Sequence, residues 1–436
     1  MRLIGRAVLI GLVLAVAPAQ AQLSGHGGPI RALAISADGA MALSGSFDTS
    51  AIRWLLRRNT AEQVLRSHHS AVNAVAILAD GRAITAGEDA HIAIWTPGKQ
   101  QPDWVLEGHQ GPIVALAVSP DGTTLASASW DRTIRLWPLA GGVPQVLEGH
   151  SQNVNGVAFA PDGTKLVSAG YDATLRVWPL QGSDAALVAT LASPLNAVAV
   201  APDGEIVTAG ADGEVYFLSP AGETRGAVDA SATPILSLAI SGNGERVAAT
   251  TIRGSVAIID RRTRTLARTL VGPGMPVWSV AFFPDNRMLL TGGADRMIRR
   301  WDSETGEPIG SIASGGVEDP LTAYVDDPGA QVFRACIACH TLEADQGNRA
   351  GPTLHGIFGR RIATLPGYNF SAALNHLDIV WTPETVAKLF EIGPAQYTPG
   401  TKMPAQYTPG TKMPEQRIGA PEDRDALVKF LERATK

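Results

Sequence analysis

The chain of 436 residues holds two cysteines, Cys336 and Cys339, and both fall in one pentapeptide, CIACH, that ends on His340. Two thiols one helical turn apart, with an imidazole beside the second, form the C-x-x-C-H arrangement that attaches haem. The thiols add to the two vinyl groups as thioethers, and the histidine turns its ring onto the iron. The competing chemistry is half a zinc site. Zinc takes four ligands, however, and the chain has no other cysteine, only scattered histidines such as His355 and His376. That ligand count favours haem. A sulfur donor is offered twice, because the ten residues AQYTPGTKMP occur twice in succession between Pro394 and Glu415, placing Met403 and Met413 equivalently. Only one of them can sit opposite His340.

These residues need helices to hold them, and the sequence around them has helical periodicity. Asp327 reads as an N-cap and Pro328 as a first-turn residue, so a helix is predicted to start at 328. The preceding stretch, ASGGVEDPLTAYVDDPG, reads as a linker punctuated by Gly and Pro, assigned to 315–327.

Upstream the pattern is different. From Gly25 to about Ser314 the sequence repeats every 39 to 42 residues, and each unit ends in an apolar strand marked by Trp54, Trp95, Trp137, Trp178, Phe217, Ile259 or Trp301. Ahead of most markers stands an aspartate (Asp48, Asp89, Asp131, Asp172, Asp212, Asp295), and four residues before each lies a hydroxyl (Ser44, Thr85, Ser127, Ser168, Thr208, Thr291). Four units open with a histidine: His26, His68, His109 and His150. Alternating segments such as TIRLW between PDG turns are short strands. A unit of about 40 residues cannot bury both its faces alone, so the units must stack radially into a propeller.

This spacing resembles the WD-repeat family, in which His, Ser/Thr, Asp and Trp form a buried hydrogen-bond relay in each blade. The resemblance implies an all-β seven-bladed propeller over 22–314. It weakens in unit 5, where Ala192-Ser193 replaces Gly-His, in unit 6, with Arg253 and Ile259 at the Asp and Trp positions, and in unit 7, which lacks the His. Blades 5 and 6 are therefore expected to be the least rigid. The residue before each turn aspartate lies outside the relay and, by the resemblance, on the top face. In blades 1, 3 and 4 it is Phe47, Trp130 or Tyr171, a candidate partner-binding set.

Residues 328–436 resemble the mitochondrial type of class I cytochrome c, a small all-α domain. The resemblance implies one haem held by Cys336 and Cys339 with His340 as proximal ligand. Pro352 would accept a hydrogen bond from the other imidazole nitrogen, and Arg360 and Trp381 would face the propionates. Gly329 and Phe333 would pack against Leu427 and Phe430. Met413 is preferred over Met403 as the second iron ligand because it stands 14 residues before Leu427, the spacing of this family, although the count from Trp381, 22 residues before Met403 and 32 before Met413, favours Met403. Two departures matter. Phe370 stands where the family has a propionate-bonding tyrosine. The lysine-rich ring is also missing, since 12 Lys and Arg face 14 Asp and Glu from Glu318 onward.

Residues 1–21 read as a secretory signal peptide, with Arg2 and Arg6, an apolar core from Ala7 to Val16, and the cleavage pattern Ala19-Gln20-Ala21. The mature chain is expected to start at Gln22 in the periplasm, without an integral membrane segment. A formal net charge of −5 gives no long-range attraction to nucleic acid or to an anionic membrane. The expected function is single-electron transfer to an unidentified redox protein, with the propeller docking a protein partner and no catalytic residues. The alternatives are a propeller-borne oxidoreductase feeding its own cytochrome, or a haem-based redox scaffold.

Overall fold

The computed structural model describes residues 22–180, 187–272, 274–309, 321–333, 336, 340–343, 352–366, 370, 372–393, 397–398, 418 and 420–436. The signal-peptide residues, Cys339, Met403 and Met413 lie outside them.

Residues 23 to 302 form seven four-stranded antiparallel sheets. The innermost strands are Ile30–Ile35, Val72–Ile77, Ile113–Val118, Val154–Phe159, Leu195–Val200, Ile235–Ile240 and Val277–Phe282. Each packs against the next, and the seventh packs against the first, so the sheets are the blades of a closed ring. The second strands are buried along nearly their whole length, as in Met41–Ser46 and Lys165–Gly170, because both faces of a blade are covered by neighbours. The outermost strands, such as Gln145–Glu148, are mostly exposed. The apolar clusters lie between blades. One joins Leu43 and Ala51 of blade 1 to Val72 and Trp95 of blade 2.

Sequence repeats and blades are offset by one strand. Each marker aromatic ends a repeat but occupies the third strand of its blade, and the fourth strand comes from the next repeat. Blade 7 is completed by Leu23–Ser24, which pairs with Ile298 and Met297 and closes the ring. Sequence periodicity alone gives no reason to separate this two-residue strand from the turn that follows it.

The hydrogen-bond relay is present in blades 1 to 4. In blade 1 the Trp54 indole N–H donates to Ser44 Oγ (2.7 Å), Ser44 lies 2.7 Å from His26 Nε2, and His26 Nδ1 lies 2.9 Å from Asp48. The same chain joins Trp95, Thr85, His68 and Asp89, then Trp137, Ser127, His109 and Asp131, then Trp178, Ser168, His150 and Asp172. Burial pushes the Asp48 carboxyl up, but His26 and Ser50 together bring it down to about 2. Blade 7 keeps only the link from Trp301 to Thr291, at 2.9 Å. Blades 5 and 6 lack the relay and are tied otherwise. Arg261 donates to Asp203 (2.7 Å) and to the buried Glu205 (2.8 Å), and Arg264 also reaches Glu205 (3.2 Å).

The C-terminal unit is helical: α1 (Pro328–Phe333), α2 (Ala372–Asn375), α3 (Pro383–Ile392) and α4 (Pro421–Ala434). Asp327 caps α1 as predicted, accepting from the backbone N–H of Gly329 at 2.8 Å and of Ala330 at 3.3 Å. It also pairs with Arg433 on α4. Helices α1 and α4 cross at Gly329, where a Cβ would lie 2.0 Å from the Ala426 carbonyl oxygen. Phe333 and Phe430 meet there with centroids 5.5 Å apart. The unit begins earlier than the linker assignment 315–327 places it. Leu321 is fully buried in this core, and Tyr324 stands edge-on to Phe430 at 5.2 Å. Among the described residues no helix is long and apolar enough to cross a membrane.

Candidate functional site

Cys336 follows α1 directly, its backbone N–H donating to the Phe333 carbonyl at 2.7 Å. His340 N–H in turn donates to the Cys336 carbonyl at 3.0 Å, so thiol and imidazole stand one helical turn apart. The Cys336 side chain packs against the α1–α4 core together with Phe358 and Trp381. Burial there pushes its thiol up to about 11. His340 Nδ1 lies 2.8 Å from the Pro352 carbonyl oxygen. Donation from Nδ1 to that carbonyl leaves the Nε2 lone pair as the ligating one and fixes the plane of the ring.

The loop carrying Pro352 is braced by Arg360, whose guanidinium donates to the Thr353 carbonyl at 3.0 Å and to the His355 carbonyl at 3.2 Å. Desolvation pulls the Arg360 pKa down. Arg360 and Trp381 are brought together by backbone pairing: Trp381 N–H donates to the Arg360 carbonyl at 3.0 Å, and Gly359 N–H to the Trp381 carbonyl at 2.8 Å. A thiol at an apolar wall, an oriented imidazole one turn away and a nearby indole fit a covalently bound haem. His355 is half-buried, on the loop that Arg360 braces, and His376 is exposed. Cys339, Met403 and Met413 cannot be placed, lying outside the described residues.

The propeller carries a second arrangement. Phe47, Trp130 and Tyr171 are structurally equivalent, since each donates its backbone N–H across the blade, to the carbonyls of Pro29, Pro112 and Asn153. Trp130 and Tyr171 are 43% and 49% exposed. Phe47 departs from the expected exposed set: it is half-buried and stacks on Trp278 with centroids 5.1 Å apart.

Trp278 belongs to a ring that the repeat analysis missed. Every inner strand has a bulge after its first residue, and the bulged residues are Arg31, Asn73, Val114, Asn155, Asn196, Leu236 and Trp278. The signal was a column of the repeat, the second position in IRALAI, VNAVAI and VWSVAF, where the alternation slips. Five of the seven, with Asn153, Trp130 and Tyr171, line a funnel-shaped cavity of about 320 Å3. Asn155 donates to the Leu195 carbonyl at 2.9 Å and accepts from the Trp130 indole N–H at 3.1 Å. Asn196 donates to the Ile235 carbonyl at 2.8 Å.

Comparison with known proteins accounts for both parts. The family "WD domain, G-beta repeat" matches residues 18–54, 59–96, 100–138, 141–179 and 264–302. The unmatched interval covers blades 5 and 6, where the relay is missing. The family "Cytochrome c" matches 327–435. Cytochrome c of Cochliobolus lunatus is 38% identical over 109 residues, which are 25% of this chain and 91% of that protein. Cytochrome c of Arabidopsis thaliana is 38% identical over 109 residues, 25% of this chain and 88% of its own length. Cytochrome c type-1 of Ascaris suum is 35% identical over 113 residues, with shares of 25% and 88%. A cytochrome c domain carries covalent haem and transfers electrons through it, and a WD-repeat propeller is a protein-interaction platform. By residues 327–435 the chain belongs to the cytochrome c family, joined to a seven-bladed WD-repeat propeller.

Proposed function

We propose that the protein is an exported single-electron carrier with one haem on Cys336 and Cys339, whose propeller docks a protein partner through the rim around Trp130 and Tyr171. The observation that carries the first half is the 2.8 Å contact between His340 Nδ1 and the Pro352 carbonyl. It fixes the tautomer and the plane of the ring and leaves the Nε2 lone pair free to ligate iron. Haem, when bound, supplies a one-electron iron couple. His340, with Met413 or alternatively Met403, would hold the iron, and with both ligands supplied by the chain the group would serve electron transfer rather than substrate chemistry. Arg360, besides bracing the Thr353–His355 loop, and Trp381 would lie toward the propionates. The chain's own part is to hold the ligands and exclude water: the α1–α4 core closes one wall, and the braced Thr353–His355 loop keeps the proximal acceptor in place. A near balance of charges from Glu318 onward means that docking does not depend on a strongly acidic acceptor patch.

Export to the periplasm rests on the leader pattern in 1–21. Intact-mass spectrometry of the purified protein tests both statements. A mass equal to residues 22–436 plus one haem is expected. An unmodified mass, or a retained leader, would overturn the corresponding half.

A further inference from the structure

Among the seven bulged residues of the ring, Arg31 is the only charged one. The lining of the funnel holds this one guanidinium and no carboxylate. Among the described residues Arg31 has no hydrogen-bond or ion partner. By contrast Arg53, Arg246, Arg261 and Arg287 each reach a carboxylate at 3.1 Å or less. Glu88, at the rim position of blade 2, forms no ion pair with Arg31 and does not line the cavity. Desolvation lowers the Arg31 pKa, and no neighbouring acid offsets it. Arg31 is half-buried, so its guanidinium stands at the cavity surface with no carboxylate beside it.

We propose that the funnel takes a carboxylate side chain presented by a protein partner, with Arg31 as its counter-ion. The proposal rests on reading the rim as a docking face. Asn155 and Asn196 are already engaged with backbone carbonyls, and Asn155 also with the Trp130 indole. These two side chains are thus fixed, and the guanidinium is left as the charged donor for the ligand, beside the neutral Asn153 carboxamide and Tyr171 hydroxyl. One planar guanidinium suits a carboxylate bidentately, whereas phosphate sites usually gather several cations or backbone N–H groups. The cavity opens beside exposed Trp130 and Tyr171, which offer more aromatic surface than a small free acid would cover. The fitting partner therefore presents Asp or Glu next to an apolar residue.

The test is selection of random heptapeptides on the intact haem-loaded protein, followed by fluorescence anisotropy of a recovered peptide. Recovered sequences are expected to carry Asp or Glu beside an apolar residue. Affinity is expected to fall roughly tenfold to a hundredfold in Arg31→Gln, the range for loss of a hydrogen bond to a charged group. The haem spectrum should be unchanged and Tm equal or higher, since no protein contact is lost. Trp130→Ala with Tyr171→Ala should also abolish capture. Loss of capture in that double variant but not in Arg31→Gln, or recovery of peptides without an acid, would overturn the carboxylate and leave rim docking standing. Unaltered capture in both variants, or no peptide recovered, would overturn both readings. A lower Tm in Arg31→Gln would assign the residue to the fold, and saturable binding of free glutarate would move the site from a partner to a small acid.

Discussion

A histidine ligand is only as well placed as the acceptor behind its second nitrogen. Here that acceptor is a backbone carbonyl on a loop pinned by Arg360, so no single side-chain substitution at Pro352 removes it. The other axial position poses the opposite problem, because Met403 and Met413 sit in identical ten-residue contexts. Ten extra residues change loop-closure entropy by well under about 1 kcal/mol, so local geometry and entropy both leave a tie. Spacing to Leu427 breaks it toward Met413, since the segment after the ligand must lie against the haem while the one before it can bulge. Met413→Ala should abolish the sulfur-to-iron charge-transfer band of the ferric protein and Met403→Ala should leave it. Loss in Met403→Ala alone would reverse the assignment. The CIACH ligands were legible because covalent chemistry dictates both residue type and spacing. Arg31 and Trp278 were not, because a one-residue bulge leaves the repeat spacing unchanged and so gives no mark of the ring its residues form.

Helix α1 has six residues and cannot be stable alone; it exists because α4 covers it. Its closest approach is Gly329, where an added Cβ would meet the Ala426 oxygen at 2.0 Å and Phe430 Cβ at 2.5 Å. Backbone cannot yield there as a side-chain tip can. Gly329→Ala is expected to lower the stability of the C-terminal unit by about 3 kcal/mol, the upper end for overpacking, read as a lower denaturant midpoint for haem absorbance with propeller fluorescence unaffected. In the blades, the relay makes stability depend on acid. The carboxyls of Asp48 and Asp172 titrate at about 2 when folded and near about 4 when unfolded. Their contribution is therefore complete above about pH 4 and lost as pH falls toward 2. Burial lowers the His150 pKa, against the pull of Asp172, so the folded chain resists its protonation and a first loss begins below about pH 6.5. Tm followed by tryptophan fluorescence should be flat near pH 7, decline gently below it, and drop steeply between about 4 and 2. A flat profile down to pH 3 would contradict the role given to the relay. Its partners were legible from their spacing, but the ion cluster around Glu205 was not, because its members are scattered over two blades and follow no repeat.

The molecule divides where strand alternation gives way to helical periodicity, and that change was plain in the sequence. The position of the boundary was not. Leu321 and Tyr324 sit in a stretch read as a linker for its Gly and Pro, yet both pack on the α1–α4 core. Limited proteolysis should therefore cut within 310–320, ahead of Leu321, and release a red fragment of about 12 kDa. Earlier cleavage inside a blade would count against two independent units. Closure of the ring by Leu23–Ser24 also bears on the order of synthesis. Leu23 is made long before Ile298, the residue it must pair with, and has no sheet to join until blade 7 is nearly finished. From the time Met297–Asp302 is made until Leu23–Ser24 pairs with it, that edge is open to other chains. A chain interrupted before Met297 would lack the strand that Leu23–Ser24 pairs with and would leave blade 7 two strands short.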